Sequence, residues 1–465
     1  MLIALGWCAM RFMGLDQVPY GLTTDETLSG LHVICLAQTG ATADGQRWPL
    51  FATGFAGGTY TPTYLYTLYL WTRVFGTSIA AIRGLSDATS IATILGVWSL
   101  GRRVGDRRTG RLAAAAAALS PWSIHVSRFG VDAPLAVAFL VWGVYLFLRS
   151  PRVGWALAAG VVMALAAYTY PPVRLQAVFV TLLLLVLERK RLRLPRMAAF
   201  FGALAILCIP LLRKMLDPDF MGRTRTLMIV NPDYIEANRG HLTSWVFVVK
   251  QLLDNLYEHL RPSFLFFTGD ANLRHSTQIM GELGWLDILA LGCLGWAIGL
   301  LISRTFRVGR VADQPPSRLW LVAGAAALAA AFGVLPAALC WEGLPHMGRS
   351  IGAWPAVALC TGAILSVAWS CSPLVPALAV VLAVAQTVHF VPYYFRVYPK
   401  DSFEAWEGPL RRAAEQRDLA TFARLAQPYS PLGFRYYLIR NFGDSCLSSI
   451  ARADQITSGQ LPSGP

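Results

Sequence analysis

The sequence predicts an all-α polytopic membrane protein, and three observations carry that reading. Of 465 residues 55% are hydrophobic and only 14% charged, with a mean hydropathy of +0.48. Apolar runs of helical length recur along the chain, and cations gather in the short connections between them. Inside lipid every backbone amide and carbonyl must be paired within its own segment, so such runs are spanning helices rather than core strands. The formal charge of +14 would suit nucleic acid, but the excess lies in the loops, where it reports topology; no nucleic-acid partner is expected.

Taken in order, spans are predicted near 2–14, 79–100, 112–126, 132–148, 154–170, 172–187, 197–212, 284–302, 319–340, 350–369 and 373–391, about eleven in all. The first is short for a hydrocarbon core of roughly 30 Å, which needs about 20 residues, so the natural start is expected upstream of Met1. The opening run lacks a basic leader and a small-residue cleavage site, so it is expected to stay as an anchor with a cytoplasmic N-terminus. Alternate connections are basic: Arg102, Arg103, Arg107, Arg108 and Arg111; Arg149 and Arg152; Arg189, Lys190, Arg191, Arg193 and Arg196; and Arg304, Arg307, Arg310 and Arg318. These are the cytoplasmic loops. The opposite connections carry single cations, Arg128, Arg174 and Arg349, which places Asp25 and Glu26 on the non-cytoplasmic face.

The predicted organisation is a transmembrane domain over 1–391, with outer-face stretches 15–78 and 213–283, and a small non-cytoplasmic tail over 392–465. The run from Tyr60 through Pro62 to Phe75 is apolar and aromatic and reads as interfacial helix. The stretch 213–283 is too long for a linker and is expected to be functional. Eight scattered cysteines, with Cys8, Cys208, Cys293 and Cys360 inside spans, suggest neither a disulfide framework nor a CxxC metal site.

Charged groups inside a bilayer are costly, roughly 2.5–3.5 kcal/mol at its centre on insertion scales, so carboxylates collect at helix ends and cavities. Asp25 and Glu26, in Thr23-Thr24-Asp25-Glu26, could supply a general base to an acceptor hydroxyl; alternatively Thr23, Thr24 or Asp25 could cap a helix running on through Leu28 and Leu31, with Glu26 favouring its positive end. Asp132 begins another outward helix end, where Pro134 suits a first turn and a cap is the plain alternative. Arg128, Arg174, Arg274 and Arg349 could hold a phosphate in a bidentate fork, or simply snorkel to headgroups. His275, Glu282 and His346 are conceivable ligands of a divalent metal, though their spacing matches no compact motif, and no cofactor is firmly implied. Phosphate-loop, nucleophile-elbow and dinucleotide fingerprints are missing, so chemical energy must arrive with the substrate.

Taken together, Val18-Pro19-Tyr20-Gly21 before Asp25-Glu26, the Pro62 to Phe75 segment, Arg83, Gly101-Arg102-Arg103, and Ser120-Pro121-Trp122 before Ser127-Arg128 and Asp132 resemble bacterial GT-C-fold membrane glycosyltransferases. The group is that of protein O-mannosyltransferases and the lipid A aminoarabinose transferase. Phe267-Thr268-Gly269-Asp270, Arg274-His275-Ser276, Gly343-Leu344-Pro345-His346, Arg349 and Tyr393-Tyr394-Phe395 are similar to later stretches of that group. The resemblance implies a GT-C-type bundle in a bacterial inner membrane and a polyprenyl-phosphate-linked sugar donor. It further implies an acceptor that is lipid, glycan or protein, and inverting transfer of a hexose or pentose. It implies catalytic roles for Asp25, Glu26 and Asp132. Arg128, Arg274 and Arg349 are then expected at the donor phosphate, and Tyr60, Arg174, Asp270, His275 and His346 elsewhere in the cavity. The competing reading is a transporter or flippase for a lipid-linked or anionic substrate, whose ionisable residues would gather near the midplane of related halves. Here they cluster at the outer edge without internal symmetry.

Overall fold

The structure, a computed structural model, describes residues 1–54, 58–60, 62–308, 318–429 and 431–459. Arg310 and the last six residues of the expected tail, 460–465, lie outside them. The chain is helical nearly throughout. Helix α1 (Leu2–Met10) and α2 (Thr24–Thr39) precede a two-stranded antiparallel ribbon, β1 (Ala52–Thr53) against β2 (Thr59–Tyr60), with Ala52 opposite Tyr60. Then come α3 (Pro62–Phe75), α4 (Ile79–Val104), α5 (Arg107–Leu119), α6 (Pro121–Ser127), α7 (Ala133–Arg149), α8 (Val153–Ala167), α9 (Pro171–Leu187) and α10 (Leu194–Met215). The stretch 213–283 holds α11 (Pro218–Leu227), α12 (Pro232–Asn238) and α13 (Ser244–Leu260). The second half of the bundle is α14 (Trp285–Val308), α15 (Arg318–Ala338), the one-turn α16 (Met347–Ser350), α17 (Trp354–Cys371) and α18 (Leu374–Arg396). The tail adds α19 (Tyr398–Asp401), α20 (Gly408–Glu415), α21 (Leu419–Ala426), α22 (Pro431–Phe442) and α23 (Ser448–Thr457).

Among the described residues four helical stretches are long and apolar enough to cross a membrane: Leu194–Met215, Arg318–Ala338, Met347–Cys371 and Leu374–Arg396. Shorter apolar helices are Ala133–Arg149, Val153–Ala167, Pro171–Leu187 and Trp285–Gly299. The run expected as one span over 112–126 is two helices. Pro121 has no N–H to continue the ladder and starts α6, while Ser120 accepts from the Ser123 N–H as its cap.

The expected span 2–14 stops at Met10 because Arg11 turns inward. Its guanidinium donates to the hydroxyls of Ser90, Ser123 and Ser127 and to the carbonyls of Ala118 and Ser123. The carbonyls this leaves open beyond α1 are collected by Arg128, which donates to Met10, Arg11, Met13, Gly14 and Val18. Arg128 is fully buried and acts as the C-terminal cap of α1.

Two apolar cores result. One fills the bundle, from Trp7 through Leu140 and Trp354 to Phe390 and Tyr394. The other joins Leu28, Leu31 and Leu36 of α2 and Leu68 of α3 to Phe422, Phe434, Tyr437 and Leu438 of the tail. The tail therefore shares a core with α2, whose first turn carries Asp25, and α18 runs on past residue 391 to Arg396.

A disulfide between Cys35 and Cys446 ties the tail to α2, a pairing that the scattered cysteines did not suggest. Their 411-residue separation hid the pair, since spacing carries no information about contacts the fold makes at long range. A disulfide typically stabilises by about 2–4 kcal/mol. Replacing Cys35 and Cys446 together by Ser should therefore lower the melting temperature and speed protease cleavage within 398–459. An unchanged melting curve would mean that packing alone holds the tail.

Candidate active site

Helix α2 begins with a capping box: Thr23 Oγ1 accepts from the Glu26 N–H, and Glu26 Oε2 accepts from the Thr23 N–H at 2.9 Å. Thr23 is thus the cap, one of the three residues the plainer sequence reading named, and Glu26 is its partner in the box. Glu26 is also the centre of a buried knot. Its Oε1 accepts from Arg83 Nε at 2.7 Å and from the Gly130 N–H at 2.9 Å, with both charged side chains fully buried. The remaining Arg83 donors go to Glu26 Oε2 at 3.4 Å and to the carbonyls of Leu15, Pro19 and Gly21. Glu26 points away from the cavities, and catalytic duty for it is set aside. What it does is join α2, α4 and the loop before α7, so that its neighbours Asp25 and Asp132 hold fixed positions. Gly130 must be glycine for this, since a Cβ there would sit 2.7 Å from Ile82 Cγ2.

Two cavities meet at Asp25. The larger, about 1130 Å³, is lined by Asp25, Tyr60, Asp132, Arg174, Arg223 and Arg349 at one end. At the other it runs between α9 and α10 along Val178, Leu182, Phe201 and Leu212, which are themselves exposed on the outside of the bundle. The smaller, about 560 Å³, is polar, with Asp25, Arg223, Asp270, Asn272, Arg274, His275, His346 and Arg349 in its wall. Asp25, Arg223, His275, His346 and Arg349 line both.

The carboxylate of Asp25 is open to these cavities but enclosed by protein on other sides. Burial pushes its pKa above the usual carboxylate range; Arg223 pulls it back and Glu26 pushes it further up. Tyr60 fixes the backbone here, its hydroxyl donating to the Asp25 carbonyl at 2.8 Å. Asp132 stands at the start of α7 with Pro134 in the first turn, but its side chain makes no cap hydrogen bond and lines the larger cavity. Arg174 donates through Nε to the Ala167 carbonyl at 2.8 Å.

Of the arginines expected near a phosphate, Arg349 lies at the junction, donating to the Glu342 carbonyl at 2.7 Å. Arg274 lines only the smaller cavity, and Arg128 lines neither, its donors being spent on the carbonyls of Met10, Arg11, Met13, Gly14 and Val18. The Arg128 expectation is corrected for that reason. Arg223, on α11, stands at the junction and had no sequence signal beyond its place in a long outer stretch expected to be functional.

Asp270, His275 and His346 place one ligand atom each within 4.8 Å of one another. Asp270 Oδ2 contacts His275 Nδ1 at 2.8 Å and accepts from the Met347 N–H at 3.0 Å. Burial, with His275 and Arg349 nearby, holds His346 well below its ordinary pKa, so its ring is neutral and able to ligate. Two imidazoles and a carboxylate suit a divalent metal such as Zn²⁺. Glu282 is not of this group. Its Oε1 accepts from the Asp270 N–H at 3.2 Å and steadies that loop from behind.

Residues 59–212 match the family described as dolichyl-phosphate-mannose-protein mannosyltransferase. No curated protein sequence matches the chain. Among solved structures it is similar to ArnT from Cupriavidus metallidurans in the apo state, at 15% identity over 98% of this chain and 74% of that one, TM-score 0.49. ArnT bound to undecaprenyl phosphate gives 13% identity over 98% and 75%, TM-score 0.48. The Archaeoglobus fulgidus oligosaccharyltransferase in complex with Zn and sulfate gives 14% over 100% and 57%, TM-score 0.48. The family match, over about a third of the chain, agrees with the resemblance read from the sequence.

Proposed function

We propose that the chain transfers a sugar from a polyprenyl-phosphate carrier to an acceptor hydroxyl, with Asp25 as general base. The observation that carries this is the meeting of an apolar groove and a polar cavity at one carboxylate. A lipid tail suits the groove between α9 and α10, and its phosphate then lies near Arg223 and Arg349. The acceptor enters from the polar side. Asp25 takes its hydroxyl proton as the oxygen attacks the anomeric carbon. The bond from that carbon to the phosphate oxygen breaks on the opposite face, so configuration inverts, and the departing charge rests against the arginines. Asp132 adds a second acid on the donor side. Two separate entrances converging on a base suit transfer better than the passage a transporter would need.

The disulfide bears on which face this is. Cys35 lies on α2, whose first turn carries Asp25, and structural disulfides persist in oxidising compartments, which favours the non-cytoplasmic side of a bacterial inner membrane. Reconstituted protein should move label from a radiolabelled polyprenyl-phosphate sugar, releasing lipid phosphate, and should ignore nucleotide sugars. Transfer from nucleotide sugars alone would overturn the proposal.

Asp270, His275 and His346 would hold a divalent metal, which when bound would offset phosphate charge beside the arginines. His275→Ala and His346→Ala should each lose the ion on elemental analysis of purified protein. Equal metal content in wild type and both variants would remove the metal from the proposal.

A further inference from the structure

The tail contributes Trp406, Glu407, Pro428 and Tyr429 to the smaller cavity, and the roles above use none of them. Glu407 has φ 56°, a left-handed conformation that a side chain with a Cβ adopts only where the surroundings impose it. They do so here. The Glu407 N–H donates to the Glu404 carbonyl and the Gly408 N–H to that of Phe403, and a Cβ on Gly408 would fall 2.4 Å from Phe403 Cδ2. The turn directs the Glu407 carboxylate inward, 7% exposed, with Oε1 3.4 Å from an Arg274 nitrogen. Arg274 is held in turn by donating through Nε to the Ala405 carbonyl.

Two of the arginines lining this cavity each face an acid: Arg274 stands against Glu407 and Arg349 against Glu342, while His275 contacts Asp270. A multiply charged acceptor gains little from such a lining. A neutral polyol gains much, because adjacent hydroxyls can donate to a carboxylate and accept from the guanidinium beside it, with a tyrosine ring to cover a sugar face.

We propose that Glu407, with Arg274 and Tyr429, forms an acceptor subsite for a neutral carbohydrate, in which Glu407 accepts from one sugar hydroxyl while Arg274 donates to the next. This rests on the cavity being the acceptor side of a transfer site and names the acceptor's class. It also gives the tail a function: the disulfide and the shared core hold Glu407 in register with Asp25.

The test is direct binding by the full chain in lipid nanodiscs, read by saturation-transfer NMR with the methyl glycosides of mannose, glucose, galactose and N-acetylglucosamine. At least one should bind wild type, and Glu407→Gln should weaken it at least tenfold while eluting as folded, disulfide-linked protein. If Glu407→Gln is not recovered folded, Tyr429→Ala at the cavity lip should weaken the same glycoside several-fold. No glycoside binding to wild type, unchanged binding by the recovered variant, or displacement of the glycoside by a Ser/Thr peptide would overturn the subsite. Binding that depends on Glu407, in protein that moves no sugar from a lipid carrier, would overturn the transfer reading and leave the subsite standing.

Discussion

Asp25→Asn should abolish transfer while leaving a folded, membrane-inserted protein. General-base catalysis typically supplies about 10²–10⁴-fold, and an amide in the same place cannot take the proton. The stability sign runs the other way. Because the folded-state pKa of Asp25 is raised, its contribution to stability is present below the unfolded value and lost as pH rises through the folded one. At neutral pH the ionised carboxylate is therefore a cost that Asn removes, so the variant should melt no lower than wild type. The same direction predicts that wild-type turnover falls on acidification at a pH above that of an ordinary carboxylate. Near-normal transfer by Asp25→Asn, at any pH, would end the general-base assignment.

Glu26→Gln should produce the opposite phenotype, poor recovery of folded protein whatever its activity. Arg83 would be left fully buried without its anion, and breaking a buried pair by removing one partner costs about 3–5 kcal/mol. Gln can still accept from the Gly130 N–H, so Glu26→Ala should be worse. The contrast between neighbouring positions is the sharpest check on the division of labour: one acid for chemistry, one for holding the elements that position it. A Glu26→Gln protein as stable as wild type but inactive would reverse that division.

Much of the site was legible in the sequence because isolated charges are conspicuous in an apolar chain. Asp25, Asp132, Arg174 and Arg349 stood out at helix ends, and the structure brings them to one cavity with Tyr60. Asp270, His275 and His346 were each noted, but two residues close in the chain and a third some seventy positions on cannot be recognised as one cluster from spacing. The roles of Glu26 and Arg128 were less legible. An inward-facing arginine that collects main-chain carbonyls looks, in sequence, the same as one that awaits a phosphate.

What the sequence determined by itself was the solvent each segment prefers, hence helices and the chain's membrane character. Those are local properties, set within about 20 residues by hydrophobicity and backbone hydrogen bonding. Only the tertiary structure decided which charges are spent on backbone and which face a cavity. Only it joined Cys35 to Cys446 and set Glu407 beside Arg274. Those pairings depend on the packing of helices distant in the chain, where desolvation makes an unpaired charge too costly to leave and so forces a partner that no local pattern names.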